Sequence, residues 1–305
     1  MRVPGNILKT VSFIVEDVSA GADAEIRELW ATGFFVSVPA TTSKQITHYY
    51  FVTARHVAED LMGRPLGFSV KSKSGGLTHI SPWPFLVKET SQRVYKWFSH
   101  PDEKNVDVSV VPVMMTEDAD IATIPVSSFI HPKDIAEELI GVGDEVFMVG
   151  LFEHYACGGE NFHTPIVRHG NLAMVPKEDV KYNSGFSAAY LIEARSIGGL
   201  SGSPVFIRTT MTITGEDGYG KGESLQGIGD RPYLLGLAHG HWDVKESEMN
   251  SSRIVQDSKR GVNMGIAIVV PAHKILEVIN QPELLAIRAR FEERLQSAAP
   301  KMDIP

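Results

Sequence analysis

The chain is poor in several features that would each have placed it in a functional class. Its 305 residues include one cysteine, Cys157. No intramolecular disulfide can form, and the composition suits a reducing compartment or indifference to oxidation. There is no surplus of basic charge. The formal net charge is −8, and Lys259-Arg260 is no more than a short pair in a polar stretch, which argues against a phosphate-binding face and hence against nucleic acid as a partner. No apolar run approaches the length needed to span a bilayer. The N-terminal residues lack the long apolar core and small-residue cleavage site of a secretory signal. The expectation is therefore a cytoplasmic protein with no membrane partner. There is no P-loop, no glycine-rich dinucleotide fingerprint after a strand, and no internal repeat. Two histidine groups, His154/Cys157/His163 and His239/His241/Asp243, miss the usual zinc spacings. Neither a metal nor a cofactor is expected.

What is present is concentrated in three short segments. Gly198-Gly199-Leu200-Ser201-Gly202-Ser203-Pro204-Val205-Phe206 sets a serine among glycines just ahead of an apolar run. A nucleophilic serine needs an exposed hydroxyl and nearby backbone N–H groups for a developing oxyanion, and glycines allow the close approach. A plain turn between strands has the same composition. In Tyr49-Tyr50-Phe51-Val52-Thr53-Ala54-Arg55-His56-Val57 an apolar strand runs into Thr-Ala-Xaa-His. In Asn105-Val106-Asp107-Val108-Ser109-Val110-Val111 an aspartate opens a β-branched run. Taken singly, His56 could cap a strand and Asp107 could be a turn residue.

Together, and in this order, the three segments resemble the chymotrypsin/trypsin-like serine peptidases, above all the bacterial branch with its Deg-type proteases and glutamyl endopeptidases. The resemblance extends over most of residues 31–270. It includes Ala31-Thr32-Gly33-Phe34-Phe35-Val36 before the histidine strand and Gly143-Asp144-Glu145-Val146 at the opening of a second barrel. Leu234-Leu235-Gly236-Leu237-Ala238 follows the nucleophile, and Asn263-Met264-Gly265-Ile266-Ala267-Ile268 matches the last strand.

The resemblance implies an all-β fold of two six-stranded antiparallel β-barrels. His56 and Asp107 would come from the first and Ser201 from the second. It implies a Ser201–His56–Asp107 triad and an oxyanion hole of the Gly199 and Ser201 backbone N–H groups. Ser203 is a rival nucleophile, set aside because the family pattern puts Gly-Ser-Pro after the reactive serine. Arg195, six residues before Ser201, would lie at the base of the specificity pocket. With His239 or His241 on the pocket wall, it could receive an acidic side chain before the cut. Alternatively, Arg195 turns away and pairs with Glu193. One departure from the family is Leu200, where trypsin-type zymogens carry an aspartate. Activation by insertion of a new N-terminus is therefore not expected, and the oxyanion loop must be ordered in another way.

The expected organisation is a first barrel over residues 1–125, a linker over 126–142 with a helix-like stretch at 132–139, and a second barrel over 143–271. A C-terminal helix over 272–298, broken near Pro282, and a tail over 299–305 complete it. Apolar residues from Ile275 to Leu295 recur at helical spacing, which suits packing against a barrel. Expected second-barrel strands are 145–150, 165–175, 188–194, 203–208, 232–238 and 263–270, with loops at 212–231 and 241–261. Too few residues follow position 270 for a PDZ-like domain. The leading expectation is a serine endopeptidase acting on proteins or peptides, gated by its loops or by an activating protein partner. A silent binding module of the same fold and an esterase-like hydrolase are the competing readings.

Overall fold

The computed structural model describes residues 2–16, 29–43, 45–64, 66–86, 93–101, 106–137, 140–151, 164–175, 180–182, 185–187, 189–194, 200–208, 232–245 and 261–298. After the short helix α1 (Gly5–Leu8) come β1 (Val11–Glu16), β2 (Leu29–Pro39) and β3 (Thr47–Thr53). Helix α2 (Arg55–Asp60) leads to β4 (Leu66–Lys71), β5 (Leu77–Pro82), β6 (Phe85–Leu86), β7 (Arg93–Val94), β8 (Phe98–Ser99), β9 (Ser109–Met114) and β10 (Ile124–Pro125). A 3-10 turn (Val126–Ser128) and helix α3 (Pro132–Ala136) occupy the expected linker. The second half contains β11 (Glu145–Leu151), β12 (Pro165–Met174), β13 (Val180–Tyr182), β14 (Gly185–Ser187), β15 (Tyr190–Glu193), β16 (Pro204–Ile207), β17 (Tyr233–Lys245) and β18 (Gly261–Pro271). Helices α4 (Ala272–Ile279) and α5 (Pro282–Ala298) close the chain.

Two six-stranded antiparallel barrels result. In the first, the pairings run β1–β4–β5–β9–β3–β2 and return to β1. The second closes as β11–β12–β15–β18–β17–β16. Closure removes the free sheet edges that an open sheet would expose. This is the chymotrypsin-like fold that the sequence implies, with its C-terminal helix.

The first barrel is filled by aromatic residues. Phe34, Phe35, Phe51 and Phe68 are fully buried, and Phe51 stacks on Phe68 with ring centroids 3.8 Å apart. The second barrel is filled by smaller side chains, among them Met148, Leu172, Ile192, Val205 and Leu235. The first core continues through Phe147, Phe206 and Leu234 to Ile275, Val278 and Ile279 of α4 and Leu284 of α5. Each such burial stabilises by about 1.5–3 kcal/mol. The C-terminal helices therefore pack on the barrels, and Pro282 opens α5 where the missing N–H costs nothing.

One expectation needs correcting. The loop expected to begin at His241 begins later, because β17 stays paired with β18 as far as Lys245↔Gly261. The polar sequence of residues 241–245 hides a hairpin extension held by main-chain pairing. Among the described residues no helix is long and apolar enough to cross a membrane.

Candidate active site

Helix α2 begins just past β3, and its N-terminal N–H groups have no partner within the helix. Ala54, at the cap position, has no side chain that could supply one. Asp107 does so from a distance. Its Oδ1 accepts the His56 backbone N–H at 2.9 Å, while its Oδ2 accepts His56 Nδ1–H, also at 2.9 Å. One carboxylate thus caps the helix and fixes the ring. Asp107 is itself held between the fully buried Val106 and Val108, immediately before β9. Strands β3 and β9 are neighbours, paired at Thr53↔Ser109, and this brings the two residues together across 51 positions of sequence.

The second barrel supplies Ser201. Gly202 follows it with φ of +87°, which favours glycine, and Gly202 N–H bonds the Ala238 carbonyl at 2.9 Å. A Cβ at Gly202 would overlap the Thr32 carbonyl oxygen and Thr53 Oγ1 of the first barrel. The glycine is therefore the point where the Ser201 turn presses against the strand that leads to His56. Leu200 is 1% exposed and packs in the second core, so an apolar anchor stands where the zymogen aspartate would be. Ser203 is fully buried, which removes it as a nucleophile.

His239 behaves in a way the sequence did not reveal. Strand β17 pairs Ala238↔Val269 and then Gly240↔Ile268, so His239 is the extra residue of a β-bulge. A bulge re-aims the side chain and frees the main chain at that position. His239 Nδ1 donates to Asp107 Oδ2, and the His239 carbonyl accepts Ser201 Oγ at 3.1 Å. The His56 and His239 rings meet edge to face, 5.8 Å apart. His239, expected on a pocket wall, has one ring nitrogen on the same carboxylate as His56.

Burial alone would raise the Asp107 carboxyl, but the hydrogen bonds from His239 and His56 outweigh it and hold the group well below the usual carboxylate range. His56 is raised above its ordinary value, first by its hydrogen bond to Asp107. Burial opposes this, and the charges of Asp107, Asp60 and Glu59 add to it. The donor atoms of His56, Asp107 and His239 lie within 4.8 Å of one another, the one set among the described residues close enough to hold a metal ion. Their present contacts are those of a carboxylate accepting from two imidazoles.

His56 and Asp107 of the first barrel are thus in direct contact, and His239 of the second barrel links them to Ser201, through its ring to Asp107 and its carbonyl to the Ser201 hydroxyl. Gly199 and Arg195 lie outside the described residues, as do His154, Cys157 and His163, and His241 is described only in its backbone, within β17.

The chain matches no family model and no curated protein. Among solved structures it is similar to the MamO protease domain of Magnetospirillum magneticum in its apo form. The identity is 12%, with 91% of this chain and 99% of that chain covered and a TM-score of 0.49. It is also similar to Deg5, at 14% identity over 89% of this chain and 87% of that chain, with a TM-score of 0.45.

Proposed function

We propose that the chain is a serine endopeptidase whose nucleophile is Ser201, whose general base is His56 and whose orienting carboxylate is Asp107. The observation that carries this reading is the double grip of Asp107 on His56, through both its backbone N–H and Nδ1, opposite a serine supplied by the other barrel. Fixing Nδ1–H on the carboxylate leaves Nε2 as the basic nitrogen, the tautomer that proton abstraction requires.

In the reaction, Ser201 Oγ attacks the scissile carbonyl carbon as its proton passes to His56 Nε2. Asp107 stabilises the imidazolium so formed. The N–H groups of Gly199 and Ser201 receive the oxyanion. Collapse of the tetrahedral species breaks the C–N bond, and the imidazolium returns the proton to the leaving amine. Water then repeats the sequence on the acyl-enzyme. For this to begin, the Ser201 hydroxyl must leave the His239 carbonyl, to which it donates in this structure, and turn to His56. Active-site hydrogen bonds commonly tighten only on substrate binding.

That resting contact is also the observation favouring the second reading, a gated or silent binding module that an activating partner would switch on. Protein or peptide substrates follow from the first reading. With His239 Nδ1 engaged by Asp107, a preference for an acidic residue before the cut would rest on Arg195 and His241. Cleavage of a peptide panel after Glu or Asp supports that preference, and cleavage after Lys, Arg or aromatic residues removes it.

The deciding experiment is labelling of the purified protein by a fluorophosphonate, with Ser201→Ala alongside. Labelling that disappears in the variant supports an assembled triad. No labelling of a folded wild-type protein rejects constitutive hydrolysis and favours the gated module.

A further inference from the structure

At the other end of β3 from His56, about 20 Å away at the usual strand rise, strands β3 and β9 and helix α5 border a half-open cavity of about 680 Å³. Its walls are largely apolar and aromatic, with Tyr49, Trp83, Phe85 and Phe291 prominent. They are braced: Phe291 meets Trp83 and His48 edge-on, at 5.9 and 5.8 Å. Three arginines of α5, Arg288, Arg290 and Arg294, complete the lining.

Arg288 decides what the cavity suits. It is 9% exposed, and its guanidinium donates to Tyr50 Oη at 2.9 Å, the Ile279 carbonyl at 2.9 Å and Asn280 Oδ1 at 3.0 Å. None of these carries a negative charge. The Tyr50 phenol stays protonated, since burial pushes its pKa up and Arg288 only partly offsets this. Glu292, one turn along α5, is occupied by Thr42 and His48. Among the described residues no carboxylate lies within ion-pair distance of Arg288, Arg290 or Arg294. A buried cation facing neutral acceptors and apolar walls is costly unless a counter-charge arrives. An elongated apolar body with a single carboxylate meets both demands, because guanidinium groups pair with carboxylates through a planar fork. The volume falls in the range of small-ligand pockets. A protein partner would call for a far wider contact face, of about 800 Å² on each side.

We propose that this cavity is a binding site for a fatty-acid-class carboxylate, its chain against Trp83, Phe85 and Phe291 and its head on Arg288, with Arg290 and Arg294 at the rim. The site is separate from the Ser201 centre, and its test needs no turnover. Dodecanoate, kept below its micelle concentration, is titrated calorimetrically into the full chain. Saturable one-to-one binding is expected, at least tenfold tighter than that of dodecan-1-ol. Arg288→Met should abolish the preference for the carboxylate. Should that variant fail to fold, Arg290→Glu with Arg294→Glu, at exposed positions, should weaken dodecanoate at least fivefold and leave dodecanol unchanged. Absence of saturable binding, equal affinity for the alcohol, or indifference of dodecanoate to these substitutions overturns the proposal.

Discussion

Two histidine–carboxylate pairs flank strand β3, and they differ in little but exposure. His48 meets Glu292 of α5 at 2.8 Å, with side chains 10% and 5% exposed. His56 meets Asp107 at 2.9 Å, with the carboxylate as well buried at 8% but the imidazole 47% exposed. The first pair is largely buried between strand and helix, and it holds α5 against the barrel. The second buries only its acid and leaves the ring open where the barrels meet. A carboxylate beside an imidazole is therefore not in itself a proton-transfer device. It becomes one when the far nitrogen of the ring faces a space that substrate can enter. The remaining partners point the same way. Glu292 is completed by Thr42 from a loop of the same barrel, and Asp107 by His239 from the other barrel.

Breaking each end separately should sharpen the contrast. The largest effect belongs to the open pair and its nucleophile. Ser201→Ala or His56→Ala should lower peptide turnover by about 10³-fold or more, with thermal unfolding unchanged for Ser201→Ala. Comparable turnover in both variants would remove the triad. At the closed end, Glu292→Ala should leave fluorophosphonate reactivity per folded molecule intact yet destabilise the chain by about 2 kcal/mol, the order expected when hydrogen bonds to a buried charged group are lost. Urea titration measures this, and unaltered stability would mean that α5 is held by its apolar contacts alone.

A smaller effect is expected at the residue that joins the barrels. His239→Ala should reduce kcat about tenfold through looser placement of Asp107, with KM for a short peptide little changed. Because His239 helps hold Asp107, the pH midpoint of kcat/KM should move as well. A variant that loses stability but keeps both kcat and the pH midpoint would make His239 a packing residue only.

The two pairs should also part company in their pH dependence. Asp107 favours the charged form of His56, so the basic form gathers only above the ordinary value of 6.5, and kcat/KM should rise with pH along a limb centred above it. The same raised pKa contributes stability that is complete below 6.5 and lost as pH rises through the shifted value. Glu292 runs the opposite way. Its carboxyl is held down to about 2, chiefly by the Thr42 hydroxyl and with help from His48, against the opposing effect of burial. Its contribution is complete above the ordinary 4.5 and fades as pH falls toward 2. Site-resolved NMR titration of His56 and unfolding at acid pH check these signs. A His56 midpoint at or below 6.5 would contradict the grip of Asp107.

Much of the fold was legible because barrel strands announce themselves locally. The β-branched run of β9 and the apolar run of β3 read as strands without knowledge of their neighbours, and Pro282 read as a break between helices. His56, Asp107 and Ser201 were singled out by the family resemblance, and the structure pairs the first two directly. Each stands at a junction, just before or after a strand, where a short signature survives. His239 was not legible as a partner of Asp107. A β-bulge is a property of the pairing between β17 and β18 and leaves no mark on the periodicity of β17 alone. Nothing in the sequence singles out Arg288 and Glu292, because their partners Tyr50, Thr42 and His48 lie 238 to 250 positions away.

The sequence by itself determined the strands, since hydrophobic periodicity and turn chemistry are short-range and are written residue by residue, whereas the two-barrel class and the choice of His56, Asp107 and Ser201 came from the resemblance to the chymotrypsin-like peptidases. Only the tertiary structure decided that one carboxylate would receive two imidazoles, that Gly202 would seat the Ser201 turn against Thr32 and Thr53, and that Arg288 would face an apolar cavity with no counter-charge among the described residues. Those are contacts between segments distant in the chain. Closure of the barrels and the docking of α5 fix them, and no local pattern encodes which distant group will arrive.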